Sequence, residues 1–462
     1  MRPNKAPETT GSQETVFPLP LTPFEYYYYL DDSPEYPTAF PIELRFSGML
    51  SADHFQAALE ATLARHPMLT AVIDSSGRRP AWIAEQRARP AVDWADESVP
   101  MSHPTGDYID LAAGAGLRVR VRTSPGRSRV VFHFHHACCD GLAGLRFIQE
   151  VLTAYKIAAG DASARQGRRE LDSTLLRRRG ELATDDGDKG SLKTAWRDLY
   201  VTLRVWSAIL FRASAVLQAP AGVAASAETS QREILPYETE VLSRSESARL
   251  HALAESLDVT TNDLLLRDLL LALADWNRRH GGDARRPLRI NVPMSVRGQH
   301  DARMPAANRI GFGFVTAELV DDPRQLLETV SGQTRRMKQW KLGLYFLGGL
   351  SMASRVPAVL RWALRRNQSL ATAVLSNVGR FVADPLLARP EDLWTCGDVV
   401  LKHVTGMPPI RKLTRAAVLV IEYGGEIALS LRCDPRFFDV EQTRALLGDF
   451  TGRVRQTLER GA

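Results

Sequence analysis

The segment Val130–Gly141 constrains the fold of this 462-residue chain more strongly than any other part of it. It reads VVFHFHHACCDG: an apolar run typical of a β-strand, then two adjacent histidines, and finally an aspartate and a glycine. A helical pattern from Leu142 to Tyr155 follows at once. A strand that turns directly into a helix presents side chains where the two elements meet, and functional sites are commonly built there. The pattern therefore predicts a site at this junction, and we describe residues 135–141 as an HHxxxDG motif.

The length and composition of the chain indicate a soluble globular protein with more than one domain. A chain of 462 residues exceeds one ordinary hydrophobic core, so two or three domains are expected. Its hydrophobic content of 44% and charged content of 24% are ordinary for such proteins. The net charge of +6 is modest and the arginines are dispersed, so we predict no nucleic-acid partner.

Cysteine usage and the N-terminal segment favour a cytoplasmic location. Cys138 and Cys139 are adjacent, whereas Cys396 and Cys433 lie far away, and this spacing is not that of a disulfide framework. The first twenty residues have no apolar core like that of a signal peptide. The longest uncharged run, residues 342–354, is shorter than the about 20 residues that cross a bilayer.

An alternative location is a membrane surface, reached through an amphipathic helix at residues 194–217. Apolar side chains recur there at helical spacing: Trp196, Leu199, Leu203, Trp206 and Leu210. The tryptophans of such a helix would act as anchors at the membrane interface. The other interpretation is that this helix packs on the body of the protein.

The order of strand and helix patterns divides the chain into four parts. Residues 1–15 are polar and are expected to be disordered. Residues 16–159 form a first lobe that carries the HHxxxDG motif, and residues 231–462 form a second lobe. Residues 160–230 are expected to form an exposed, arginine-rich linker and the amphipathic helix. Both lobes mix strands and helices without a repeat, so the predicted fold class is α/β, with mixed sheets and flanking helices.

Three interpretations of the motif histidines are open. In the first they bind a metal, but alternate residues of a strand point to opposite faces, so His133 and His135 would point away from His136. No second ligand pair occurs elsewhere, and we therefore predict no metal. In the second, His133, His135 and the two cysteines pack in the core. In the third, His136 is a general base that accepts a proton from an alcohol or amine, which accelerates a reaction about 10²–10⁴-fold.

The aspartate of the motif is expected to be structural. Gly141 permits a tight turn from strand to helix. The carboxylate of Asp140 would anchor that turn against a fixed cation, for which arginine is best suited. Removing one partner of such a buried pair costs about 3–5 kcal/mol. The motif therefore predicts a structural arginine elsewhere in the chain.

Residues 135–141 resemble the signature shared by nonribosomal-peptide condensation domains, wax ester synthase/diacylglycerol acyltransferases and polyketide-associated acyltransferases, within the chloramphenicol-acetyltransferase-like superfamily. The similarity covers nearly the whole chain through six further blocks in the expected order: Leu21-Thr22-Pro23, Arg65-His66-Pro67, Asn262-Asp263, Val292-Pro293-Met294-Ser295-Val296-Arg297, Asn308-Arg309-Ile310-Gly311 and Ser376-Asn377-Val378-Gly379. These ordered blocks make the resemblance much more specific than the motif alone. Residues 160–230 are longer than a minimal condensation domain needs, which favours the lipid-linked acyltransferases.

The resemblance implies two acetyltransferase-like lobes set in a V with a central tunnel. An acyl donor, the thioester of coenzyme A or of a phosphopantetheinyl carrier protein, would enter from one face and a small-molecule acceptor from the other. No cofactor would be bound permanently, and a monomer would suffice to form the site. The implied function is acyl transfer to an alcohol, or less favourably an amine, without a covalent acyl-enzyme. The alternative is a catalytically silent relative that binds a carrier protein or a lipid.

The resemblance also assigns roles to single residues. His136 would take the proton from the acceptor, and Arg297 matches the arginine that pairs with the motif aspartate. The expected catalytic group consists of His135, His136, Asp140 and Gly141. The candidates for the tunnel wall are Ser376, Asn377 and His403. Cys138 and Cys139 are expected to pack rather than to act as nucleophiles, because reactive cysteines need an electropositive, open setting.

Overall fold

The structure of the chain is a computed structural model. It describes residues 16–85, 89–90, 92–181, 199–203, 206–207, 212–220, 232–233, 236–283, 285–318, 322–365, 369–389 and 391–460. The tail at residues 1–15, for which the sequence predicts disorder, lies outside these ranges, as does part of the predicted helix at residues 194–217.

The α-helices flank the sheets and are bounded as follows: α1 (Pro23–Asp31), α2 (Ala52–Leu63), α3 (Gly141–Ala158), α4 (Arg244–Ser256), α5 (Thr261–Arg279), α6 (Pro323–Gln339), α7 (Leu342–Ser354), α8 (Pro357–Arg365) and α9 (Val440–Arg460). Side chains cap the starts of two of these helices. The side chain of Ser51 accepts a hydrogen bond from His54 N at the start of α2. Thr260 and Asp263 form a reciprocal capping box at the start of α5.

The strands form two large sheets and two small ones in the described ranges. The first large sheet contains, in spatial order, β14 (Thr395–Cys396), β15 (Val399–Gly406), β2 (Ala39–Ser47), β8 (Arg127–His135), β7 (Leu117–Ser124) and β5 (Val92–Asp96). The second contains β10 (Glu238–Leu242), β17 (Glu426–Cys433), β16 (Ala416–Tyr423), β13 (Ala373–Arg380), β11 (Leu288–Ser295) and β12 (Ile310–Ala317). The small sheets contain β1 (Leu19–Pro20), β4 (Ala81–Ala84) and β3 (Ala71–Asp74), and β6 (Ser102–His103) with β9 (Arg232–Glu233).

Each large sheet combines parallel and antiparallel pairs. In the first, β5 runs parallel to β7 while β2, β8 and β7 are antiparallel neighbours. In the second, β13 runs parallel to both β11 and β16, whereas β11 and β12 are antiparallel. The predicted α/β class with mixed sheets and flanking helices is therefore confirmed.

The strand that leads into the HHxxxDG motif, β8, lies in the middle of the first large sheet. Residues 130–135 are all buried, because this part of the sheet is covered on both faces. Phe132 and Phe134 share one face, and both contact the ring of Phe147 in α3, with ring centroids 6.2 and 6.0 Å apart. The strand thus ends inside the protein, and it delivers the motif to a buried edge of the sheet.

The second half of the chain contributes two strands to the first large sheet. β15 pairs antiparallel with β2, and β14 pairs with β15. Residues 395–406, which the sequence analysis assigns to the second lobe, therefore belong to the first large sheet, and the division into lobes at residues 16–159 and 231–462 stays a prediction. Without β15, the edge of β2 would leave its backbone N–H and C=O groups unpaired, and a strand distant in sequence satisfies them.

The arginine-rich segment is not exposed throughout. Short 3-10 helices at Ala162–Gly167 and Ser173–Arg178 keep most side chains at the surface, as expected. Arg179, however, is buried, and its Nε lies 2.7 Å from Oε1 of Glu25 in α1. Burial of this guanidinium is tolerated because a carboxylate neutralises its charge.

The helix predicted at residues 194–217 is only partly present. Residues 199–203 and 206–207 are helical, but residues 213–217 are not, and Ala215 and Leu217 are buried there. The ring of Trp206 stacks on Phe346 of α7 with centroids 5.1 Å apart. This tryptophan therefore packs on the protein instead of anchoring a membrane helix.

Candidate active site

Hydrogen bonds with two residues distant in sequence, Thr38 and Asn308, fix the backbone of the motif where β8 ends. The N–H of His136 donates to the carbonyl oxygen of Thr38 at 3.1 Å. Asn308 Nδ2 donates to the carbonyl oxygens of His136 and Ala137, at 2.5 and 3.0 Å. Asn308 lies two residues before β12, a strand of the second large sheet. A residue beside the second sheet therefore holds the turn that leaves the first one.

The imidazole of His136 is enclosed by aromatic rings. It stacks on Tyr28 of α1, with centroids 4.3 Å apart and planes 13° apart, and it lies 4.9 Å from the ring of Phe40. Only 8% of the residue is exposed. Burial disfavours the charged imidazolium and lowers the pKa of His136 to about 4, although the negative charge of Asp140 acts in the opposite direction. At neutral pH the ring is therefore uncharged and has a lone pair with which to accept a proton.

Asp140 joins the motif to the second half of the chain. Its Oδ1 accepts from Ala143 N at 3.0 Å and caps α3, and its Oδ2 accepts from Arg309 N at 2.7 Å. Arg297 Nη2 lies 3.0 Å from Oδ1 and 2.8 Å from Oδ2. Burial opposes ionisation, but the charge of Arg297 and these hydrogen bonds hold the pKa of Asp140 below its usual value. The carboxylate is therefore an anchor, and Arg297 occupies the position that the sequence analysis expects for its cation.

A cavity of about 350 Å³ opens beside His136. It extends between α1, the start of α3, β12, β13, α7 and α8. Most of its wall is apolar, and the aromatic and aliphatic residues that form it are Tyr27, Tyr28, Leu142, Trp206, Ile310, Phe312, Phe314, Phe346, Leu360, Leu364, Leu370, Val374 and Val378. Such a wall suits an aliphatic or aromatic group of a substrate.

A second cavity, of about 40 Å³, lies on the β2 side of the motif. The two cavities share five lining residues: His136, Gly141, Ser376, Val378 and Pro408. His136 therefore lies at the boundary between them, where a group from either side would reach its ring. A continuous tunnel between two lobes stays a prediction.

The candidates for the tunnel wall differ in their placement. Ser376 and Asn377 both line the larger cavity, and Ser376 also lines the smaller one. The side chain of Asn377 is engaged within the protein, because its Nδ2 donates to Asn262 Oδ1 at 3.2 Å and its Oδ1 accepts from Gly379 N at 2.9 Å. Ser376 is therefore the better placed of the two to contact a substrate.

His403 lies apart from this site. It is an exposed residue of β15, opposite Arg45 of β2, and it lines neither of the two cavities. The strand pairing shifts register between Leu401 and His403, an irregularity that no local sequence pattern indicates. The structure does not bring His403 to the position expected of it.

The other two histidines of β8 are buried and line neither of the two cavities. His135 Nδ1 accepts from Ala137 N at 3.0 Å, and its Nε2 lies 3.2 Å from Asp32 Oδ2. His133 is fully buried, and burial lowers its pKa to about 3. Within the described ranges no three His, Cys, Asp or Glu side chains are grouped so as to hold a metal ion.

The cysteines of the motif are thiols at neutral pH. Cys138 and Cys139 are both buried, and burial raises the pKa of each thiol above its usual value. A thiol is a much weaker nucleophile than a thiolate. Their placement is that of packing residues.

Three polar groups of the cavity wall were not singled out from the sequence. Arg411 forms a bidentate pair with Asp31 of α1, with Nη2 2.7 Å from Oδ1, and its guanidinium lies 5.4 Å from the ring of Tyr27. Asn291 of β11 also lines the cavity. The four consecutive tyrosines at residues 26–29 were a visible signal for α1, but nothing local to Arg411 indicates that it meets α1 across the cavity.

Comparison with known proteins gives distant relatives in sequence. No protein-family model matches the chain. Two uncharacterised proteins of Mycobacterium tuberculosis, from strains CDC 1551 / Oshkosh and ATCC 25618 / H37Rv, are each 24% identical to it. Both alignments cover 95% of this chain and 99% of the relative.

The fold is similar to that of several solved structures. Polyketide synthase associated protein 5 from Mycobacterium tuberculosis has a TM-score of 0.63 at 14% identity, covering 96% of this chain and 100% of that one. The starter condensation domain of rhizomide synthetase, solved in complex with C8-CoA, has a TM-score of 0.65 at 13% identity, covering 96% of each chain. The X-domain from teicoplanin biosynthesis has a TM-score of 0.62 at 17% identity, covering 98% of this chain and 97% of that one. The chain therefore has the fold of condensation domains and of polyketide-associated proteins.

Proposed function

We propose that the protein is an acyltransferase that moves an acyl group from the thioester of coenzyme A or of a carrier protein to an alcohol. The observation that carries this proposal is the placement of His136, a buried and uncharged imidazole at the boundary between two cavities. The C8-CoA complex of the rhizomide synthetase starter condensation domain supports an acyl-CoA as the donor for a protein of this fold.

In the proposed reaction His136 acts as the general base. Its free ring nitrogen takes the proton of the acceptor hydroxyl while the hydroxyl oxygen attacks the thioester carbonyl carbon. The tetrahedral intermediate collapses, the bond from carbon to sulfur breaks, and the departing thiolate takes the proton from the imidazolium. The products are an ester and a thiol, and His136 returns to its starting state. No covalent acyl-enzyme is required, in keeping with the raised pKa values of Cys138 and Cys139.

An alcohol suits this site better than an amine. An amine arrives at neutral pH as an ammonium ion, and an apolar cavity disfavours an unpaired charge. The carboxylate of Asp31 in the cavity wall is already paired with Arg411, and that of Asp140 with Arg297. No carboxylate among these is left to receive a cation, whereas a hydroxyl enters uncharged.

The test is an assay of acyl transfer from a series of acyl-CoA thioesters to a panel of alcohols. The rate is measured from the release of the free thiol. Replacing His136→Ala should lower kcat about 10²–10⁴-fold, the usual contribution of a general base. His403→Ala is the matched control, because this histidine is exposed and lies outside both cavities, and it should leave the rate unchanged. Equal rates for wild type and His136→Ala would remove His136 from the mechanism. Binding of acyl-CoA without turnover by the wild type would favour a silent relative.

A further inference from the structure

One segment of the second half of the chain carries no acidic residue. Residues 329–383 contain nine Lys or Arg and no Asp or Glu, although 53 of the 462 residues of the chain are acidic, which corresponds to about six in a run of this length. The segment includes the end of α6, all of α7 and α8, and strand β13 of the second large sheet. Arg335 and Arg380 pair with Asp258 and Glu422, which lie outside the segment. The segment itself still has an excess of positive charge, which favours an anionic partner.

The same segment exposes a cluster of large apolar side chains. Fourteen such residues are exposed in the described part of the chain, and five of them fall within 23 residues: Trp340, Met352, Val356, Val359 and Trp362. Trp362 is 56% exposed and Val356 is 52% exposed. Single exposed apolar residues are ordinary on a protein surface, but a cluster of them marks an interaction surface.

Four of these side chains, all except Trp340, fall within the eleven residues 352–362 around the break between α7 and α8. The helices are bent by 116° at this corner. We define the corner surface by its exposed residues Met352, Arg355, Val356, Val359, Arg361, Trp362 and Arg365. No single helix in the described ranges is long and apolar enough to cross a membrane, but α7 and α8 together reach the length and composition required. A bent, apolar and basic pair of helices is suited to lying within a membrane interface.

The inner face of α8 belongs to the substrate cavity. Leu360, Ala363 and Leu364 line it, while Trp362 and Arg365 face outward on the same helix. The spacing of three and four residues places the lining side chains on one stripe and the exposed ones on another. A single helix therefore separates the corner surface from the cavity beside His136.

We propose that the corner surface binds reversibly to an anionic lipid bilayer. Tryptophan and aliphatic side chains would enter the apolar boundary while Arg355, Arg361 and Arg365 meet anionic headgroups, the division of roles typical of interfacial helices. An acidic protein would complement the arginines but would leave the exposed tryptophan and valines without a role. Binding to lipid stands independently of the catalytic proposal. A second step, in which the membrane-bound protein takes its acceptor from the lipid phase past α8, rests on the proposed function.

The test is flotation of the full chain with vesicles of phosphatidylcholine alone and with vesicles containing phosphatidylglycerol, without any substrate. Wild type should bind the anionic vesicles at least tenfold more than the neutral ones. Binding should weaken when salt is raised from about 0.1 to about 1 M, which shortens the screening length from about 10 to about 3 Å. Equal binding to the two kinds of vesicle, or binding to neither, would overturn the proposal.

Two sets of variants locate the binding surface. The triple variant Arg355→Gln, Arg361→Gln and Arg365→Gln should lose at least tenfold in anionic-vesicle binding. The matched control, Arg78→Gln, Arg79→Gln and Arg285→Gln, removes the same charge from exposed positions elsewhere and should bind like wild type. Equal losses in the two sets would show only an effect of net charge and would overturn the assignment to this corner.

A measurement on a conservative variant guards against misfolding. Brominated lipids should quench part of the tryptophan fluorescence of the wild type, and Trp362→Phe, which keeps an aromatic ring, should reduce that quenching. Unchanged quenching in this variant would exclude Trp362 from the contact.

An acidic carrier protein is the alternative partner. If the arginines were needed to capture such a protein and no vesicle binding were found, the bilayer would be the wrong partner. Because flotation needs no turnover, acyl transfer by a protein that does not float would leave the catalytic proposal intact.

Discussion

The imidazole of His136 stacks face to face on the phenol ring of Tyr28, with the ring centroids 4.3 Å apart and the planes 13° apart. The two residues are distant in sequence, and Tyr28 comes from α1, near the start of the chain. Tyr28 is itself buried, and burial raises its pKa well above the usual value, so its hydroxyl stays protonated. Tyr28 therefore orients the histidine and keeps water from its ring without adding a charge.

Removing the ring of Tyr28 should restore the ordinary titration of His136. Tyr28→Ala admits water to one face of the imidazole, and the pKa of His136 should rise from about 4 towards 6.5. Tyr28→Phe keeps the stacked ring and is the control, whose pKa should match the wild type. NMR titration of the histidine ring protons, assigned by comparison with His136→Gln, measures both values. An unchanged pKa in Tyr28→Ala would show that other groups desolvate the ring.

The rate of acyl transfer should depend little on pH between about 5 and 8. His136 must be uncharged to accept a proton, and with a pKa of about 4 it is mostly uncharged throughout this range. The rate should fall only as the pH approaches 4. A pH profile of kcat, with circular dichroism at each pH to follow folding, checks this. A fall centred near pH 6.5 would mean that the ring titrates as in water.

The same shift in pKa makes stability depend on pH. Between pH 6.5 and 4 the unfolded chain binds a proton at His136 and the folded protein does not, so the free energy of unfolding decreases as the pH falls through this window. The contribution is about 3 kcal/mol over the whole window. Urea denaturation of wild type and His136→Gln at several pH values should show a shallower decline in the variant. An equal decrease in the free energy of unfolding of wild type and variant as the pH falls would contradict the assigned pKa of His136.

Loss of Arg297 should destabilise the protein markedly. Arg297→Ala leaves Asp140, which is 1% exposed, without its cation, and an unpaired buried charge costs about 3–5 kcal/mol. Arg303→Ala is the control, because this arginine pairs with Glu170 at the surface, where an ion pair contributes about 0–1 kcal/mol. Chemical denaturation of both variants gives the comparison. Similar small decreases in the free energy of unfolding of the two variants would mean that the backbone N–H groups alone suffice to hold Asp140.

Two facing glycines should respond very differently to the same substitution. A Cβ atom on Gly311 of β12 would lie 2.3 Å from the carbonyl oxygen of Gly343 in α7, whereas a Cβ on Gly343 would find its nearest neighbour at 3.6 Å. Gly311→Ala should therefore cost about 1–3 kcal/mol, because the helix would have to move away from the strand. Gly343→Ala should be close to neutral. Urea denaturation distinguishes them, and equal effects would show that α7 is not held against β12.

The sequence alone was sufficient for the local features of the site. The apolar run of β8 and the Asp-Gly pair that follows it indicate a buried strand turning into a helix, because side-chain periodicity and capping act between neighbouring residues. The need of a buried carboxylate for a cation also follows from a single residue, and Arg297 meets it. The mixed α/β class followed in the same way from the order of short patterns.

The tertiary structure decided which side chains share the site. Neither the stacking of Tyr28 on His136 nor the pairing of Asp31 with Arg411 has a local pattern, since each joins residues more than 100 positions apart. The position of His403 outside the cavity likewise depends on how β15 pairs with β2.

The same holds for the way the two halves of the chain are joined. β15 completes the first large sheet because the edge of β2 needs a partner, and any strand of suitable length could have met that need. Local chemistry therefore determines the elements and the kind of reaction they could support. The pairing of distant elements, which depends on filling space and satisfying backbone groups throughout the molecule, determines the cavity and the residues that line it.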